Sequence, residues 1–336
     1  MLRGKQTWWF DKRPVIIGSA TVVGPDEGNG PLAADFDLIH PELDMQQKTW
    51  EKAERLLLEQ ASDFALEHAG IDKQQLQFYV GGDLMNQIIS NSFAARTVGA
   101  PYLGVFGACS TSMESLAIAS LIVNSGSGQY VLAGTCSHNC TVEKQFRYPT
   151  EYGSQKPPTA QYTVTGAGAV VVAAEGEGPV IECATVGKIV DLGIKDPFNM
   201  GAAMAPAAVD TIQTHFNDTG REPGDYDLIV TGDLASVGFP IARDLLKRDG
   251  VQMEQTEFND CGLMIYDLDK QQVQAGGSGC GCSAVVTYGH LLKRMKQGEL
   301  RRILMVATGA LLSPISYQQG ESIPCIAHAV SIEQPN

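Results

Sequence analysis

The sequence predicts an α/β fold made of two copies of one half, and three recurring patterns carry that prediction. Apolar residues at Ala53, Leu56, Leu57, Ala61, Phe64 and Ala65 recur at helical spacing over residues 50–70, and Gly70 stops the helix. Leu76-Gln-Phe-Tyr-Val80 follows as a buried strand that ends in Gly81-Gly82-Asp83. The same helix, strand and Gly-Asp ending return at Ala208–Phe216, Asp227–Val230 and Gly232-Asp233. A third pattern is Gly107-Ala-Cys109-Ser110 opening a helix to Val123, a turn at Gly126 and a strand over Gln129–Ala133. Its counterpart is Gly281-Cys282-Ser283 opening a helix to Lys296, a turn at Gly298 and a strand from Arg302 to Ala307.

A repeat of roughly 150 to 170 residues is too long for a solenoid unit and points to duplication of a whole half. Strands alternating with helices imply mostly parallel sheets covered by helices. The joint is expected in Glu175-Gly-Glu-Gly-Pro179, giving halves of residues 1–175 and 176–336, the first with a loop insertion over residues 140–163.

Composition narrows the function. The 336 residues carry 24 Lys and Arg against 38 Asp and Glu, a net charge of −14, so no nucleic acid partner is expected. No apolar run approaches the roughly 18 residues of a spanning helix, and no signal-peptide core opens the chain, so neither a signal peptide nor a transmembrane segment is expected. Eight cysteines over this length fall below disulfide-scaffold density, which predicts reduced thiols in a cytosol-like compartment. Leu2, Trp8, Trp9 and Phe10 among Arg3, Lys5, Lys12 and Arg13 suit either a weak membrane-interface anchor or a first segment packed on the core.

Several motifs together resemble the thiolase and condensing-enzyme superfamily over nearly the whole chain. They are Val15-Ile-Ile-Gly18, Ala95-Arg96, Gly107-Ala-Cys109-Ser110, Thr165-Gly-Ala-Gly-Ala169, Asp196-Pro197 through Met204-Ala-Pro206, and Gly276-Gly-Ser278 before Cys282-Ser283. The resemblance implies thiolase-like halves in a layered α-β-α-β-α sandwich. It also implies a homodimer joined edge to edge through the strand after the cysteine helix, here Gln129 to Ala133. Within the superfamily, Trp8-Trp9-Phe10, Asn91-Ser-Phe-Ala-Ala-Arg96 and Cys136-Ser-His-Asn-Cys140 resemble a sporulation branch of spore-forming bacteria. That resemblance implies a protein of the dipicolinic acid transport machinery used in sporulation and germination, with dipicolinic acid as ligand. It further implies other proteins of the same sporulation operon as partners and a peripheral place on the spore inner membrane, otherwise the cytoplasm.

Cys109 is where chemistry would begin. A thiol at a helix N-terminus faces unpaired N–H groups and the positive dipole end, which predicts a lowered pKa, and the resemblance makes this residue the acyl-accepting nucleophile. The superfamily's His and Asn partners fall, by the same resemblance, at Gly232 and Ser278, and the thiolases' second cysteine falls at Thr308-Gly309-Ala310. Glycine transfers no proton, and losing two acid/base groups at roughly 10²- to 10⁴-fold each leaves little condensation. The sequence therefore reads as a former active-site cavity used for binding. The alternative is a cysteine-dependent acyltransferase or condensing enzyme acting on an acyl-thioester, with Asp233 or Asn259 recruited as base.

A small aromatic dianion needs oriented N–H groups or a cation for its charge and apolar walls for its ring. Helix starts near Cys109 and Cys282 are expected on either side of a pseudo-twofold axis as an anion site. The lining candidates are Cys109, Ser110, Gly232, Asp233, Ser278, Cys282 and Thr308. Phe146 and Arg147 join them from the locally basic, aromatic stretch Thr141 to Tyr162, where Arg147 is the sharpest candidate for a carboxylate ligand. No cofactor is expected, and calcium enters only through the ligand, which is a chelator. Cys136-x-His138-x-Cys140 with Cys280-x-Cys282 lacks the usual zinc spacing, so no metal centre is predicted.

Overall fold

The structure, a computed structural model, describes residues 1–147 and 156–335, the side chain of Arg147 excepted. The first half runs β1 (Val15–Val23), α1 (Trp50–Ala69), β2 (Phe78–Gly82), α2 (Ile89–Val98), β3 (Tyr102–Gly104), α3 (Thr111–Ser125), β4 (Tyr130–Ser137), α4 (Asn139–Arg147) and β5 (Gly166–Ala173). The second runs β6 (Val180–Val186), α5 (Met200–Thr219), β7 (Leu228–Thr231), α6 (Ala235–Arg248), β8 (Glu257–Asp260), α7, β9 (Arg302–Ala310) and β10 (Cys325–Glu333). Helix α7 is Cys280–Val285 and Leu292–Lys296 joined by a π-helical stretch at Val286–Leu291.

Local chemistry accounts for the elements that frame the site. Thr49 caps α1 by accepting the Lys52 N–H, and Gly70 at φ +66° ends it in the left-handed conformation. Its buried stripe, Ala53, Leu57, Leu58, Ala61 and Ala65, lies against β1, β5 and β4. All eight residues of β5 are buried, as a central strand covered on both faces requires. The helix expected over Ala208–Phe216 begins eight residues earlier, at Met200, because Pro206 sits in its second turn and forfeits only one backbone bond there.

Duplication is written in the strand order β8-β7-β9-β10-β6-β1-β5-β4-β2-β3. Read outward from the middle, each half has its first, fifth, fourth, second and third strands in that order, with the same parallel and antiparallel pairings. The two halves of the sheet join where β1 pairs antiparallel with β6, at Val15 and Val180. Helix α3 packs on β2 and β4 of its own half and on β9 and β10 of the other, and α7 packs beside it. With α1 outside one half and α5 outside the other, the layers are α-β-α-β-α. Residues 175–179 form the link between β5 and β6.

One expectation changes, and an open one is decided. The strand after the cysteine helix, β4, is flanked by β2 and β5, so Gln129 to Ala133 cannot form a dimer edge. The first half instead ends at β3, which pairs only with β2 among the described strands. At the N-terminus, Thr7–Trp9 pairs antiparallel with β6, Phe10 is buried, and the Arg3 guanidinium lies 3.3 Å above the Trp9 ring. Phe10 lies in the core, Trp8 packs against it and Trp9 lies under the arginine, so this is a first segment packed on the fold.

A buried ion cluster ties these parts together. Glu182 on β6 accepts both Arg221 nitrogens at 2.8 and 2.9 Å, Arg302 Nε at 3.0 Å and Ser331 Oγ at 2.9 Å. Glu333 accepts Arg302 Nη2 at 3.1 Å and pairs with Arg13. Burial alone would raise the Glu182 carboxyl, but the hydrogen bonds and charge of Arg221, with Arg302, hold it near pH 2 against an ordinary 4.5. A depressed carboxylate pKa stabilises the fold fully above about pH 4.5 and loses that contribution as pH falls toward 2. Glu182→Gln should therefore cost about 3 kcal/mol near neutral pH and flatten the acid limb, read by urea unfolding from pH 7 to 3. Parallel pH profiles for the two proteins would remove the assignment.

Candidate functional site

Ala108 holds φ +50° in the tight turn Ala108–Ser110 that leads into α3, a left-handed geometry that costs about 1 kcal/mol or more and places Cys109 at a cavity wall. The turn is fixed by Ser110 Oγ donating to the Gly107 carbonyl at 2.7 Å and by Thr111 Oγ1 accepting the Gly107 N–H at 3.0 Å. Across from it, Ser278 Oγ lies 3.9 Å from Cys109 Sγ and donates to Asp233 Oδ2 at 2.8 Å. The same carboxylate accepts Thr308 Oγ1 at 2.6 Å and the Gly279 N–H at 3.0 Å. Asp260 sets the loop beneath: it accepts Thr231 Oγ1 and the Leu234 and Ala235 N–H groups, while Ala235 holds φ +54°.

The cavity above is about 290 Å³. Leu84, Phe106, Phe146, Phe198, Met200 and Leu312 give it apolar walls; Cys109, Ser278, Thr163, Gln161, Lys156 and Glu143 give it polar points. Lys156 bonds to Glu143 and faces the Tyr162 ring at 5.5 Å. Gln161 donates to the Asp233 carbonyl.

Of the sequence candidates, Cys109, Ser278 and Phe146 line the cavity, and Asp233 and Thr308 lie buried beneath its floor. Ser110 is buried and turned to its own loop. Arg147 closes α4, but its side chain, like residues 148–155, lies outside the described residues. Cys282 is fully buried with Sγ 3.5 Å from the Gly232 carbonyl, so it does not reach the cavity. The second helix start is also unavailable as an anion site, because Asp233 accepts the Gly279 N–H and Ser137 accepts the Gly281 N–H. Gly232 contributes backbone only. A Cβ there would stand 3.0 Å from Ala307 Cα and Thr308 N, and one at Gly309 would stand 2.1 Å from the Gly107 carbonyl oxygen. The backbone blocks a side chain at Gly309 and crowds one at Gly232, where β9 would have to give by a few tenths of an ångström.

Electrostatics reverse the expectation for Cys109. Burial, then the neighbouring Asp233 charge, push its thiol well above 9, outweighing the helix dipole. Burial also raises Asp233, and the bonds from Thr308, Gly279 and Ser278 pull it back in part. Among the described residues no group of three or more His, Cys, Asp or Glu could hold a metal ion, and no helix is long and apolar enough to cross a membrane. The motifs missed Lys156, Gln161 and the walls from residues 197–200 and 310–318. Lys156 stood in the basic stretch as a visible signal; the 310–318 loop offered none.

The family model for stage V sporulation protein AD matches residues 4–333. The stage V sporulation protein AD of Bacillus subtilis is 54% identical over 334 residues, covering 99% of this chain and 98% of that protein. Among solved structures, 3-oxoacyl-[acyl-carrier-protein] synthase III of Aquifex aeolicus superposes with a TM-score of 0.58 at 16% identity, covering 95% of this chain and 99% of that one. Cerulenin-bound OleA of Xanthomonas campestris superposes with a TM-score of 0.61 at 15% identity, covering 97% and 100%. These two establish a thiolase-like condensing-enzyme fold.

A buried, protonated thiol reacts slowly. Iodoacetamide at pH 8 should alkylate Cys109 at least about tenfold more slowly than free cysteine, measured by peptide mass spectrometry. Labelling at the free-cysteine rate would mean that the thiolate is stabilised after all.

Proposed function

The chain belongs to the stage V sporulation protein AD family, and from that premise we propose that its pocket binds dipicolinic acid, free or as the calcium chelate, without catalysing a reaction. The observation that carries this reading is a cavity kept open over Cys109, while the positions at which the resemblance places the superfamily's proton-transfer groups are Gly232, crowded by backbone, and Ser278. Apolar walls suit a pyridine ring, and the Lys156 ammonium, which also pairs with Glu143, suits a carboxylate. In this reading the protein serves the dipicolinic acid transport machinery of the spore, peripheral on the inner membrane beside the other products of its operon.

A homodimer joins at β3, whose outer edge lacks a strand partner among the described residues and beside which Leu103 and Phe106 are 42% and 48% exposed. Leu103→Asp should yield monomers in sedimentation equilibrium where the parent protein gives dimers; unchanged mass would dispose of that edge.

Calorimetric titration with dipicolinate, with and without calcium, tests the central reading against benzene-1,3-dicarboxylate, which lacks the ring nitrogen. Selective, saturable binding is expected, and Cys109→Ala should keep the affinity within about tenfold. No dipicolinate binding, together with an acyl adduct on Cys109 after incubation with an acyl-thioester, would replace the reading with acyl transfer.

A further inference from the structure

The pocket floor has a hydrogen-bond polarity that residue types alone do not set. A serine or threonine hydroxyl donates one proton and accepts through two lone pairs, so once its proton is claimed it can only accept. Here the Ser278 and Thr308 protons both go to Asp233, at 2.8 and 2.6 Å, and the Gly279 N–H takes a third place on the same carboxylate. Ser278, which lines the cavity, is left with lone pairs to offer a ligand. Asp233 is 1% exposed, and among the described residues no Lys or Arg bonds to its carboxylate. The cation of the cavity, Lys156, stands among the lining groups with Glu143 rather than at this floor.

Resting on the dipicolinate reading above, the geometry points to Asp233 as a specificity-determining residue. By taking both hydroxyl protons it gives the floor acceptors and a buried negative charge, so a ligand turns a cation or an N–H or O–H group to the floor and its bare carboxylate oxygens toward Lys156. Free dipicolinate, acceptors along its whole polar edge, meets repulsion and unmatched lone pairs at that floor. The metal chelate carries its cation on the same edge and meets neither. Asp233 acts on the ligand through Ser278 and through its field, and its signature is a ratio of affinities rather than a loss of binding.

Calorimetric titration of the full chain with dipicolinate in metal-free buffer, and with dipicolinate at saturating calcium, reads that ratio. The parent protein should bind the chelate at least about tenfold tighter than the free dianion. Asp233→Asn, whose amide oxygen must stay where Oδ2 accepts Ser278 and the Gly279 N–H and whose NH2 turns to Thr308, removes the charge under the floor while Ser278 keeps its lone pairs toward the cavity; it should narrow the ratio to within about threefold, mainly by strengthening the free dianion. Should that variant not fold, Ser278→Ala serves: it removes the floor acceptor and should weaken the chelate about tenfold without weakening free dipicolinate. A parent protein that prefers the free dianion, or a folded variant that keeps the parent ratio, overturns the role of Asp233 and leaves dipicolinate binding standing. A parent protein that binds neither form overturns the binding reading and this inference with it.

Discussion

Everything at the site hangs on a carboxylate buried without a cation. Putting Asp233 out of water costs several kcal/mol, and only well-aligned donors offset such a cost. Three arrive from separate places: Ser278 and the Gly279 N–H from the entry to α7, and Thr308 from β9. Satisfying one group therefore fixes the loop after β7, the start of the second central helix and the end of β9 relative to one another. The floor under Cys109 is the by-product of that requirement, and the thiol is held protonated first by its burial and then by facing that charge.

Duplication explains why the two halves look alike and behave differently. Cys109 and Cys282 stand at equivalent helix starts, and both halves use the same strand order. What separates them is what fills the space in front. The first start opens on the cavity, whereas the second meets Asp233, Ser137 and the Gly232 carbonyl. Ser112 and Ser283 share a 2.6 Å hydrogen bond where the two helices meet, so the central layer acts as one unit and an acceptor built into one half shapes the face of the other. An anion site made from two symmetric helix ends was a fair expectation from sequence symmetry, and it fails because hydrogen-bonding demand inside the protein is met first.

The repeat and the cysteine turn were legible because they rest on local patterns, helical stripes, glycine stops and a small-residue helix start, whereas the five layers were implied by the resemblance. Asp233 and Ser278 were legible as neighbours of Cys109 through the resemblance alone. The direction of their hydrogen bonds was not, since a hydroxyl carries no mark of which partner claims its proton. The free edge was misplaced because a short strand, Tyr102–Gly104, gives little periodic signal beside the longer Tyr130–Ser137. The residues 310–318 wall was invisible for a related reason: it is formed by a loop and a helix of five residues whose position depends on packing from residues 190–200.

Backbone packing also constrains what the cavity could do next. At Gly232 a new Cβ would press on Ala307 and Thr308, which are backbone neighbours in β9, and at Gly309 it would press on the carbonyl that also accepts Ser110 Oγ in the cysteine turn. A side chain able to transfer a proton cannot be introduced at either position without moving β9 or the turn that presents Cys109. Moving β9 would also carry Thr308 off Asp233 and strip a donor from a buried charge. The same contacts that give the floor its polarity thus crowd the two glycines, so ligand selection can be tuned by side chains around the cavity wall while a proton-transferring side chain at either site requires the backbone itself to shift.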